Sequence, residues 1–296
     1  MAEPQGNREH KDRLFLKVFE DKEALLSLYN AVNGSDYENP EELEITTLDN
    51  VLYMRMKNDL SFLIDGSLNF YEHQSTFNPN MPLRGCFYMV KVYQEYVERR
   101  QLDIYSSTRL TLPTPRFIVF YNGTDRMKHT PELTLKLSDS FEKQEEEPAL
   151  ECKARVININ YGFNTEIMEK CPKLYEYSFL ISKIREETSQ GKKLEAAIGA
   201  AIDICVEEGI LTDLLTSYRM EVIGMLLTEY DEERHLKNTY EEGVKKGQKK
   251  GESIGEFRQL YKLIQKNFLT LHDAASANSM TEEQLMAAFK KYGITK

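Results

Sequence analysis

Asp59, Glu72 and Gln74 are the residues whose types and spacing could do chemistry. Between the first two lies Asp65-Gly66, a strong signal for a two-residue hairpin turn. Counting outward from that turn pairs Ile64 with Ser67, Leu63 with Leu68, Phe62 with Asn69, Ser61 with Phe70, Leu60 with Tyr71, and Asp59 with Glu72. Two carboxylates then face each other. That destabilises a sheet, and a buried sheet more so, unless a cation sits between them. Carboxylate oxygens so placed are hard ligands suited to Mg²⁺. Gln74 projects from the same face as Glu72, about 6.5–7 Å further along the strand. The alternatives are an Asp59 that ends a turn, a Glu72 turned to solvent at a sheet edge, or a three-residue turn through Ser67. The last would shift the register by one and send the two carboxylates to opposite faces.

The elements that must position these residues follow from periodicity. Apolar residues from Asp12 to Asn33 fall at helical spacing, with Asn33-Gly34 as the stop. Val51 to Met56, Asp59 to Ile64 and Ser67 to Gln74 then read as three strands. Apolar residues on both alternating faces of Leu60 to Tyr71 place this hairpin centrally in a sheet covered on two sides. Asn78-Pro79-Asn80-Met81-Pro82 introduces a helix over Leu83 to Glu98. Strands follow at Arg116 to Tyr121 and Cys152 to Tyr161, and from Pro172 only helical patterns remain, including Leu194 to Val206 and Leu211 to Leu227. The fold class is α+β, an α/β sandwich with a helical C-terminal region.

The tail from Tyr240 places glycine at 243, 247, 251 and 255 among Glu and Lys. Each glycine costs a helix interior about 0.8–1 kcal/mol relative to Ala, so the repeat fits either close backbone approach or a flexible linker. Lys245, Lys246, Lys249 and Lys250 form a small basic stripe there, which reads first as a solvated face. Phe268 to Ala277 and Thr281 to Tyr292 form a helical hairpin, with Thr281 and Gln284 placed for a capping box.

At 296 residues the chain is long enough for one large domain or two smaller ones. Its net charge of -10 has the wrong sign for coating nucleic acid non-specifically, so any such contact is local. The N-terminus lacks the apolar core of a secretory signal, and no apolar run is long enough to span a bilayer, which points to the cytoplasm. Cys86, Cys152, Cys171 and Cys205 lie far apart without a CxxC pair and read as buried hydrophobes. Phosphate-loop, dinucleotide and GxSxG signatures are missing, which leaves NTP hydrolysis, nicotinamide redox and serine hydrolysis without support.

The segments Asn58 to Ile64, Tyr71 to Thr76 and Asn78 to Gly85 resemble the PD-(D/E)XK nuclease superfamily, and within it the recombination-promoting nuclease or putative transposase group. The opening Asp12-x-x-Phe15-x-Lys17-x-Phe19 and the glycine-repeat tail are similar to that group as well. The resemblance implies a restriction-endonuclease-like core, with a central mixed sheet flanked by helices over 1–165, a helical region over 166–239 and a tail over 240–296. It also implies Mg²⁺-dependent DNA cleavage, with Mn²⁺ as substitute. Asp59 and Glu72 match the metal-binding acids, the His73 carbonyl is the expected third ligand, and Gln74 stands where the wider superfamily has Lys. Gln can orient a water but brings no charge to the phosphorane.

The remaining candidates carry alternatives. Arg84, in the first turn of its helix, suits a DNA phosphate or an ordinary ion pair. Lys17 is a candidate phosphate contact or a solvated lysine, and Asp12 an accessory acid or a helix cap. The His73 imidazole has the opposite parity to Glu72 and reads as core, or as a group supporting the site from behind, rather than as a ligand. The leading expectation is a DNA endonuclease that forms a homo-oligomer through its glycine-repeat helix. The others are a weakly active or inactive nuclease-fold protein that binds DNA or regulates, and an oligomeric interaction module.

Overall fold

The computed structural model describes residues 14–46, 60–124 and 126–294, with side chains described throughout except at 231–243, 246, 249 and 250. Asp12, Asp59 and the strand expected over Val51 to Met56 lie outside the described residues.

The expected opening helix is two helices, α1 (Leu14–Val18) and α2 (Lys22–Asn33). The break is local: Asp21 adopts an extended backbone and its carboxylate accepts from the Ala24 N–H at 2.7 Å, capping α2 instead of continuing α1. Gly34, in the left-handed region, ends α2. The Leu14 N–H of α1 donates to Glu229, 215 residues away in sequence.

The hairpin forms as expected, between β2 (Leu60–Ile64) and β3 (Ser67–Gln74). Asp65 and Gly66 both have positive φ, 44° and 67°, the type I′ geometry whose twist matches the flanking strands. The register runs from Ile64↔Ser67 to Leu60↔Tyr71, as counted from the turn. A short β1 (Glu44–Ile45) borders β2. β4 (Thr114–Tyr121) and β6 (Lys153–Asn158) add in parallel to β3, and β5 (Glu132–Lys136) closes the far edge antiparallel, giving a mixed sheet ordered β1-β2-β3-β4-β6-β5.

Each sheet face has its own cover. Phe62, Tyr71, Ile118, Phe120 and Ile157 pack against α1, α2, α4 (Thr165–Lys170), α5 (Pro172–Ser189) and α6 (Leu194–Glu207). Leu68, Phe70, Phe117, Val119 and Val156 pack on the opposite side against α3 (Met81–Arg99). Helices α4 to α6 therefore share one core with the sheet, and the chain separates into compact units at 1–233 and 234–296. The expected helix over Leu211 to Leu227 divides into α7 (Thr212–Ser217) and α8 (Arg219–Gln265).

The glycine repeat lies within α8, and a Cβ at Gly247, Gly251 or Gly255 would meet nothing within 4 Å. In the second unit α9 (Leu271–Ala277) and α10 (Glu282–Lys291) enclose Ala274, Ala275, Leu285 and Phe289, with the Thr281/Gln284 capping box in place. All four cysteines are buried free thiols, and burial pushes Cys152 up to about 12. Among the described residues no helix is long and apolar enough to cross a membrane.

Candidate active site

Strand parity in β3 decides which candidates meet. Leu68, Phe70, Glu72 and Gln74 face α3, whereas Tyr71 and His73 face the layer containing α1 and α5. Glu72 is 1% exposed although it is a carboxylate, and it stands two residues from the C-terminal end of β3. A buried charge needs a partner. Arg84 supplies one, its Nη2 donating to Glu72 Oε1 at 2.9 Å while its own side chain stays 32% exposed.

Local packing fixes Arg84 there. The guanidinium donates to the Tyr88 hydroxyl from Nη2 at 2.8 Å and from Nε at 3.2 Å, one helical turn on, and Nη1 lies 3.4 Å from Met81 Sδ, three residues back. Burial, with the Glu72 charge adding to it, raises the Tyr88 phenol well above its ordinary value, so the hydroxyl stays protonated. The next residue, Gly85, sets the depth of the helix: an added Cβ would stand 2.3 Å from the Phe117 ring of β4. Only a residue without a side chain lets α3 lie this close to the sheet and carry Arg84 over the end of β3.

Gln74, half-buried at the end of β3, shares the Glu72 face, and its carbonyl accepts from the Asn122 N–H at 3.0 Å. His73 is buried on the other face, as its parity implied. Its ring stacks on Phe15 at 4.9 Å and its Nε2 lies 2.9 Å from the Tyr177 hydroxyl. Asn122 Nδ2 donates to that same hydroxyl at 3.2 Å. Lys17 pairs with Glu20 at 3.1 Å and sits over the Tyr218 ring, in the helical layer across the sheet from Glu72. The hydrogen bond to Glu20, partly opposed by burial, raises its pKa.

The structure thus brings Glu72, Gln74 and Arg84 to one end of one face and sends His73 and Lys17 to the other layer. Five of the hairpin pairs are as counted; the sixth, Asp59 with Glu72, falls outside the described residues. Among the described residues no three His, Cys, Asp or Glu side chains cluster as a metal site. Glu72 is a hard-oxygen donor of the type Mg²⁺ prefers, and a full set needs carboxylates beyond it.

Sequence reasoning missed Tyr88, although its i+4 spacing from Arg84 signals the contact. It also missed the polar seam at the strand ends, where Arg185 donates to the Asn122 carbonyl and, at 2.6 Å, to Asn160 Oδ1. Comparison with protein-family models, with curated proteins and with solved structures returned no match.

Proposed function

We propose that this chain is a divalent-metal-dependent DNA endonuclease of the PD-(D/E)XK type, related to the recombination-promoting nucleases. The carrying observation is a carboxylate, Glu72, almost wholly buried at the C-terminal end of a central strand, on one face with Gln74 and beneath a half-exposed arginine. Burying a charge there is costly, and function is the natural reason to retain it. Asp59, Glu72 and the His73 carbonyl would hold Mg²⁺ or Mn²⁺, which when bound supplies an acidified water and offsets charge on the phosphate. Gln74 orients the attacking water through its amide. Arg84 and the first turn of α3 receive the DNA phosphate, where helix N–H groups and a guanidinium both favour an anion. A cytoplasmic location and assembly through the glycine-repeat helix belong to the same proposal.

Supercoiled plasmid incubated with Mg²⁺ or Mn²⁺ tests it: wild type should nick or linearise the DNA, and Asp59→Ala and Glu72→Gln should not. One observation favours a second reading, a nuclease-fold protein that binds DNA with little turnover. The Arg84 guanidinium already compensates the Glu72 charge that a metal would otherwise meet. Calorimetric titration with Mg²⁺ beside the cleavage assay separates the two, because DNA binding with neither Mg²⁺ uptake nor cleavage supports the second.

A further inference from the structure

Tyr161, which follows β6, packs against Tyr175 and Phe179 of α5 with ring centroids 5.8 and 5.6 Å away, and the latter two rings lie 6.2 Å apart with planes only 28° from parallel. Tyr161 is 49% and Tyr175 37% exposed, whereas Leu174, Tyr177, Leu180, Ile181 and Ile184 of the same helix are buried. Tyr161 and Tyr175 therefore stand outside the core-facing side of α5, with the partly buried Phe179 packed between them and the core. The four-residue spacing of this aromatic stripe on α5 continues to Lys183, whose ammonium lies 5.4 Å from the Phe179 centroid. Lys183 also pairs with Glu186 at 2.8 Å, an exposed contact of the kind that contributes little and yields to a phosphate.

The stripe lies at the same strand end as the candidate active site, in the helical layer across the sheet from Glu72. Gln74, Tyr121 and Asn158 are register neighbours on the parallel strands β3, β4 and β6, so the ends of β3 and β6 stand about 9.5 Å apart. Across that gap the Asn122 N–H donates to the Gln74 carbonyl, Arg185 ties the Asn122 carbonyl to Asn160, and Asn160 Nδ2 donates to the Gly123 carbonyl at 2.9 Å. Tyr161 is the next residue along the chain.

We propose that Tyr161, Tyr175 and Phe179, with Lys183, form a stacking platform for unpaired bases of single-stranded DNA at the strand end that carries Glu72 and Gln74. Exposed ring faces take any base, and an adjacent ammonium takes the backbone, a pairing that binds single strands with little sequence preference. The inference rests on the nuclease reading for the identity of the polymer. Glu208, an exposed carboxylate whose charge reaches both Tyr175 and Lys183, opposes the phosphate.

Fluorescence anisotropy of labelled oligothymidylate, alone and as its duplex, measured on the full chain in EDTA, tests the platform without cleavage. Wild type should prefer the single strand. Tyr161→Ala with Tyr175→Ala should weaken that binding about ten- to a hundredfold and leave the duplex unaffected. Tyr161→Phe with Tyr175→Phe should retain it, and Glu208→Gln should tighten it. Equal affinity for single strand and duplex, or an unchanged alanine variant with unaltered circular dichroism, overturns the proposal. So does a fall in the light-scattering mass of the alanine variant without loss of DNA binding, which would make the stripe a contact between copies. Ring-dependent binding without any Mg²⁺- or Mn²⁺-dependent plasmid cleavage keeps the platform and removes the nuclease reading. Cleavage without ring-dependent binding does the reverse.

Discussion

Arg84 donates from Nη2 to Oε1 of Glu72 at 2.9 Å, joining the first turn of α3 to the end of β3. The carboxylate is buried and the guanidinium is one-third exposed, so removing the arginine takes a charge-assisted hydrogen bond from a carboxylate that water cannot readily reach. Arg84→Ala should lower stability by about 2–3 kcal/mol in urea unfolding. Glu72→Gln combined with Arg84→Met removes both charges and should cost less than Arg84→Ala alone. A double variant as unstable as the single one would show that packing, not charge, accounts for the loss.

The proposed mechanism ranks substitutions in the cleavage assay. Asp59→Asn or Glu72→Gln takes away a charged ligand and should abolish metal-dependent cleavage. Gln74→Ala removes one positioning group, and even in the most favourable cases such a loss costs about a hundred- to a thousandfold. Gln74→Lys should retain or raise activity, because it brings a positive charge beside the phosphate. Full activity in both Asp59→Asn and Gln74→Ala would put the active site elsewhere.

Gly85 sets the distance between α3 and the sheet. An alanine Cβ there would stand 2.3 Å from Phe117 Cδ1, so ring and helix must separate. Gly85→Ala should destabilise by about 1–3 kcal/mol, as overpacking does, and Phe117→Leu in the same chain should recover part of the loss. Thermal unfolding of the two variants beside wild type measures this.

Asp21 caps α2 and pairs with Lys173 at 2.7 Å. Burial alone would raise its pKa, but Lys173 and the N–H groups of Ala24 and Glu23 outweigh it and hold the carboxyl below its ordinary value. A depressed folded-state pKa means that the stabilisation is complete above the unfolded value, near pH 4, and is lost as pH falls through the folded one. Asp21→Ala should cost about 0.5–2 kcal/mol at neutral pH. Asp21→Asn keeps a capping oxygen and should cost less while removing this residue's share of the acid dependence. Urea midpoints at pH 7 and below pH 4 decide it.

Gly247, Gly251 and Gly255 have open space where a Cβ would go, so no contact within the described chain accounts for them. If they admit a second copy, deleting everything after Tyr240 should lower the mass seen by light scattering while 1–233 stays folded. An unchanged mass would leave the repeat without a role in assembly.

Local rules made much of this molecule legible. Asp65-Gly66 dictated the turn and with it the β2–β3 register, because only a few residue pairs accept positive φ at both turn positions. The period of two then separated Glu72 and Gln74 from His73, and the Thr281/Gln284 box marked the start of α10. Other features were decided only in three dimensions. β5 is half-exposed at the sheet edge and forms through its pairing with β6, so its five residues carry little signal of their own. The His73–Tyr177 contact spans 104 residues of sequence, and the Leu14–Glu229 contact 215. The choice of Glu72 as Arg84's partner depended on how closely Gly85 lets α3 approach Phe117. Periodicity tells which way a side chain points; what it meets there is settled by elements distant in sequence, packed together to cover both faces of one sheet.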